Sequence, residues 1–155
     1  MPKNRRNEPR TAHLRARPMV MWPLLAISIA GAALLVINGA RFDAFSAGLI
    51  GAAFLGINGA AVWRAIARPM TVTWDDTMFA VDRGGKRVYE GEYVQIAKTM
   101  MPAHGVGFVV PPLSMATTLS LAFSHPFVLN ATRHKLAFPG VFVSGTSALL
   151  ADQKA

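Results

Sequence analysis

Residues 19–38 read MVMWPLLAISIAGAALLVIN and residues 45–63 read FSAGLIGAAFLGINGAAVW, and neither run contains a charged side chain. At about 1.5 Å per helical residue, each covers roughly 30 Å, the thickness of a bilayer's hydrocarbon core. Only residues 39–44 separate them, with Arg41 and Asp43 as the sole charges. Two apolar runs of spanning length, so closely joined, are hard to bury in a small soluble core. They predict a membrane-crossing helical hairpin over residues 19–64.

The flanks give the hairpin a direction. Trp22 opens the first run and Trp63 closes the second; in a hairpin both fall at one membrane face, where indole rings anchor. Lys3, Arg5, Arg6, Arg10, Arg15 and Arg17 precede the first run, and Arg64 and Arg68 follow the second, against one Arg in the turn. The positive-inside rule then puts both termini in the cytoplasm, and the expected location is a bacterial cytoplasmic (inner) membrane. A cleaved signal peptide is not expected, because the first run is too long and lacks a small-x-small cleavage site.

Within the second run, Gly48, Ala52, Gly56 and Ala60 recur every four residues. Such a ridge lets another backbone approach closely, which drives helix association in lipid. It is expected to close the hairpin on itself or to pack against a partner protein or a second copy. Asn58 lies off the ridge, and an amide in lipid seeks a polar partner, so it marks a candidate second helix contact.

The composition fits this division. The 155 residues are 52% apolar, carry a net charge of +8 and contain no cysteine. Disulfides, thiolate metal sites and covalent haem attachment are therefore excluded. Residues 1–18 hold six Lys or Arg against one Glu and show no apolar periodicity, so they are expected to be a disordered basic tail attracted to anionic headgroups. From residue 69 onward seven Lys and Arg stand against six Asp and Glu, a near-neutral balance that argues against a nucleic-acid partner.

After Pro69 the period changes. Residues 70–74 (MTVTW) and 77–82 (TMFAVD) carry strand signals, Asp75-Asp76 marks a turn, and RGGK at 83–86 is a glycine turn between antiparallel strands. Further strands are expected at 87–90, 94–100, 105–110, 118–123, 127–130 and 135–138. Ser144 or Thr146 caps a short helix at 147–153. Residues 105–129 are free of charge apart from His125, but Pro111-Pro112 and several hydroxyls argue against a third crossing there.

TVTWDDTMFAVDRGGKRVYE, the stretch from Tyr93 to Ile96 and the closing SGTSALLADQ together resemble small bacterial inner-membrane proteins in which two membrane helices precede a pleckstrin-homology-like domain. Tyr93 and Ile96 look like the aromatic–Ile pair such domains carry near the end of the third strand. The resemblance implies a cytoplasmic, antiparallel partial barrel with a short C-terminal helix over residues 69–155, acting as a tethered binding or scaffold domain. It departs from that pattern in the shortness of the last helix and in Pro111-Pro112.

Catalytic signals are weak. His104, His125 and His134 fit no common zinc spacing. Gly84-Gly85-Lys86 lacks the rest of a phosphate loop, and no Ser sits in a Gly-x-Ser-x-Gly elbow. Glu90 and Glu92 would share a strand face, the minimum for a carboxylate pair. No cofactor and no metal are expected. The expected function is non-enzymatic: the hairpin docks beside partners, while the β domain binds protein or lipid headgroup through Arg64, Arg68, Arg83, Lys86 and Arg87. The alternatives are an accessory or assembly subunit of a respiratory or photosynthetic membrane complex, and then a tethered hydrolase using Glu90 or Glu92.

Overall fold

The computed structural model describes residues 9–99 and 105–151. Helices α1 (Pro18–Arg41) and α2 (Phe45–Ala67) form an antiparallel hairpin, and both are long and apolar enough to cross a membrane. Pro18 occupies the first helical position, where its missing N–H costs nothing. At the turn the two backbones nearly touch: a Cβ on Gly48 would lie 2.5 Å from the Leu35 carbonyl oxygen and 3.1 Å from Gly39 Cα. Glycine is therefore required at this crossing. The other end is closed by Trp22 and Trp63, whose rings meet edge-on at 6.3 Å.

The small-residue ridge does not stay in this seam. Each four-residue step turns about 40° around the helix, so the stripe that begins in the contact leaves it. Gly48 is buried, Ala52 is half-buried, and Gly56 and Ala60 are exposed. The seam instead continues through Leu55, Gly59 and Val62, with Gly59 packed on Ser28 and Leu25. Asn58 donates to the Phe54 carbonyl at 2.9 Å within its own helix, which satisfies part of the amide locally.

The expectation of a disordered tail over residues 1–18 is corrected for its second half. Arg10–Ala16 forms strand β1, pairing antiparallel with β2 (Met70–Trp74). Ala12 and Leu14 enter the core while Thr11, His13 and Arg15 face out, a two-residue period too short to stand out among basic residues. Residues 1–8 lie outside the described residues. β2 continues into β3 (Met78–Arg83) and β4 (Lys86–Glu92), close to their expected positions. The sheet order is β4-β3-β2-β1-β9, where β9 is Val143–Ser144. The strands on either side of the hairpin are thus direct neighbours.

A second sheet, β5-β6-β8-β7, comprises β5 (Gln95–Thr99), β6 (Gly105–Val109), β7 (Asn130–Thr132) and β8 (Lys135–Phe138). The strand expected at 118–123 is instead helix α3, Met115–Ser124. Ser114 caps it, its hydroxyl accepting the Thr117 N–H at 3.1 Å, immediately after Pro111-Pro112 ends the preceding strand. Alternating Thr, Leu and Ser mimicked a strand there, but the cap and the helix-forming Met, Ala and Leu prevail. At ten residues α3 is too short to cross a bilayer. The strand expected at 127–130 begins later, at Asn130, because Phe127 takes a positive φ of 69°. The closing helix α4 is Ser147–Leu150. Its expected last residues, 152–153, lie outside the described residues.

The core sits between the sheets. Phe79 and Phe108 stack at 4.3 Å, Tyr93 stands edge-on to both, and Phe138 meets Phe108 edge-on. Val72, Val81, Leu136 and Leu149 are fully enclosed around them, and Ile96 is buried as well.

Candidate functional site

The chain leaves α2 through Arg68 and Pro69 and enters β2, so the returning β3–β4 turn lies beside the root of the hairpin. The Gly84 N–H donates to the Pro69 carbonyl at 3.1 Å, and Gly84 and Gly85 hold positive φ values of 56° and 79°, which glycine adopts without strain. The Arg68 side chain lies over this turn. On the far side, the last turn of α3 and His125 complete a cavity of about 480 Å³. Its basic walls are Arg64 and Arg68 of α2, Arg83 at the end of β3, and Lys86 and Arg87 at the start of β4. Ser120, Ser124 and His125 supply the polar remainder. All five basic residues singled out in the sequence therefore surround one space, and among the described residues no acidic one lines it.

Arg83 is the central group. It is 7% exposed, and its Nε has no hydrogen-bond partner among the described residues. Its Nη1 lies 2.8 Å from His125 Nδ1. Because the guanidinium can only donate, the imidazole accepts there in its neutral form. Burial first, and then Arg68 and Arg64, push the Arg83 pKa down. Burial and the Arg83 charge likewise hold His125 below its ordinary value. Among the described residues no carboxylate pairs with Arg64, Arg68, Arg83 or Lys86. Arg87 differs: it pairs with Asp82 at 2.7 Å and with Glu90, contacts that raise its pKa. A desolvated cation with no counter-ion is costly, and an anion placed among these groups would offset that cost. Guanidinium groups suit phosphate in particular, since they donate in a fixed two-pronged geometry.

The remaining sequence candidates fall elsewhere. His134 is in the β7–β8 turn and is not among the residues that line the cavity with His125, and His104 lies outside the described residues; among the described residues no three metal-ligating side chains cluster. β4 does run through Gly91, so Glu90 and Glu92 share a face, but Glu90 is engaged by Arg87. Asp75 is a turn residue whose Oδ1 accepts the N–H groups of Thr77 and Met78, holding its carboxyl below the usual range. Sequence reasoning missed Ser120, Ser124 and His125, which reach the cavity only because α3 is a helix.

The chain is thus two apolar helices followed by a mostly-β, antiparallel domain with a cationic cavity where the two meet. No family model matches it, and neither a curated protein nor a solved structure matches it at a significant level.

Proposed function

We propose that this chain is a non-enzymatic integral membrane protein of a bacterial cytoplasmic membrane whose cytoplasmic domain, of pleckstrin-homology-like type, binds anionic lipid headgroups at the root of its hairpin. The observation that carries this reading is the placement of Arg83, buried, with an unpartnered Nε, among four other cations. Trp22 and Trp63 mark the expected interface one residue before Arg64, so the cavity would stand at the depth of the phosphate layer. Two packed antiparallel sheets and a closing helix support the domain type, with β1 and α3 as additions to it. Pairing of β1 with β2 supports a common side for both ends of the hairpin.

The test uses the full chain in detergent, titrated with dioleoyl phosphatidylglycerol and with the zwitterionic phosphatidylcholine of the same chains. A preference for the anionic lipid that falls at higher salt, and falls again in Arg83→Met, is the expected result. Equal affinity for the two lipids would refute the reading. The accessory-subunit alternative draws on the open face of α2 around Gly56 and Ala60, which could equally face a partner helix.

A further inference from the structure

A second concavity lies along the hairpin, its Ala60 one helical turn from Arg64 of the cationic one. Gly56, Gly59, Ala60 and Trp63 of α2, facing Ser28 and Ile29 of α1, line an apolar groove of about 550 Å³ along the hairpin. Nothing lies within 4 Å of where a Gly56 Cβ would be, so the groove floor is open rather than filled by a side chain. Ser28 is no polar interruption, because its hydroxyl donates to the Leu24 carbonyl at 2.9 Å.

The two spaces share a stripe. Gly56, Ala60 and Arg64 of α2 and its C-cap Arg68 follow one another at four-residue steps, each about one turn further along and about 40° further round the helix, so Ala60 and Arg64 are the neighbours that join the two spaces. Gly56 and Ala60 belong to the groove, while Arg64 and Arg68 belong to the cavity. From Gly56 to Arg64 is about 12 Å of helix axis, most of the roughly 15 Å depth of one hydrocarbon leaflet. An apolar channel of leaflet depth that ends at a cluster of cations is complementary to one molecule: an acyl chain joined to a phosphate.

We infer that the groove and the cavity form a single site for a whole anionic glycerophospholipid, with its phosphate against Arg83, Arg68 and Arg64 and one acyl chain lying over Gly56 and Ala60. This inference rests on the headgroup reading above and adds that the chain, not the headgroup alone, is recognised. It also gives a use to the half of the small-residue stripe that leaves the hairpin seam. Glycine and alanine there leave room for a chain to lie against the backbone.

The experiment compares two probes on the full chain in detergent: dioleoyl phosphatidylglycerol, and glycerophosphoglycerol, its deacylated headgroup. Three proteins are measured: wild type, Gly56→Leu and Arg83→Met. A Cβ at position 56 meets no atom within 4 Å, so a leucine there extends into the groove from an unstrained start; Ala60→Leu replaces it should its melting temperature change. The expected result is that the lipid binds the wild type about tenfold or more tightly than the headgroup. Gly56→Leu should remove most of that difference without altering headgroup affinity, and Arg83→Met should weaken both probes. If filling the groove leaves lipid affinity unchanged while Arg83→Met weakens both probes, the groove inference is overturned and the headgroup site stands. If Arg83→Met alters neither probe, the headgroup site fails and the inference with it.

Discussion

Replacing Arg83 by Met should move stability and binding in opposite directions, which few structural arginines would do. In the lipid-free protein Arg83 is 7% exposed and lies close enough to Arg68 and Arg64 for them to depress its pKa. Exchanging a buried, poorly compensated charge for an apolar side chain of similar length removes a desolvation penalty on the order of several kcal/mol and the repulsion from Arg68 and Arg64. Against this stands the loss of the charge-assisted hydrogen bond to His125, about 1.5–3 kcal/mol. The net expectation is a lipid-free melting temperature that is unchanged or higher, by about 2–4 °C per kcal/mol for a chain of this size. Binding changes the other way. A charge-assisted hydrogen bond to phosphate contributes about 1.5–3 kcal/mol, so the dissociation constant for phosphatidylglycerol should rise roughly 10- to 150-fold. Wild-type protein with lipid at a hundred times its dissociation constant gains about 2.7 kcal/mol from the ligand, and in the variant at the same lipid concentration that gain should fall to about 0.3–1.4 kcal/mol. Thermal unfolding in detergent, with and without the anionic lipid, reads both effects. An Arg83→Met protein that melts markedly lower without lipid, yet binds it as well as the wild type, would show that Arg83 is a structural cation and refute the reasoning.

Four further outcomes are expected. His125 titrates below its ordinary value in the folded chain, so its neutral form contributes stability that is complete above about pH 6.5. That stability is lost as pH falls from there toward the lower folded pKa, then levels off; His125→Gln should flatten this part of the stability–pH curve, and an unchanged curve removes His125 as its source. The same protonation adds a cation beside Arg83, so affinity for the phosphodiester lipid should rise between pH 7.5 and 5.5, and should do so only while His125 is present. Gly48→Leu drives a side chain into the Leu35 carbonyl and the Gly39 backbone, and overpacking of this kind costs about 1–3 kcal/mol or more. It should lower the melting temperature where Gly56→Leu does not, and equal effects of the two would contradict the seam. Leu14 is fully buried on β1, so Leu14→Ala should cost about 2–5 kcal/mol and expose the first strand to limited proteolysis. Wild-type resistance in that variant would mean that β1 is not held in the sheet.

The hairpin was legible because its signal is local and extreme: twenty and nineteen uncharged residues flanked by arginine and tryptophan. The β2–β3–β4 meander was legible for a similar reason, since alternating residues and a Gly-Gly turn state both period and reversal. β1 was not, because three small or aliphatic residues at positions 12, 14 and 16 say little until β2, beyond the whole hairpin, supplies a partner. α3 failed differently. Ser114 after two prolines was a readable cap, but the alternation of Thr, Leu and Ser outweighed it. The site shows both cases at once: its five cations stood out in the sequence, whereas His125 looked like a scattered loop residue. Only packing brings it to Arg83, and no spacing rule connects the two positions.

The pairing of β1 with β2 also fixes an order of events during synthesis. The first strand emerges before either apolar helix, and its neighbour only after both. If the intervening helices cross a membrane as proposed, the sheet can close only once they have gone out and returned, leaving the two strands on one side. A chain threaded once instead of twice would strand Ala12 and Leu14 away from the core and leave β2 with a raw edge, the kind of surface that invites aggregation. Maturation of the domain would thereby report that the polypeptide was threaded correctly, without any dedicated sensor.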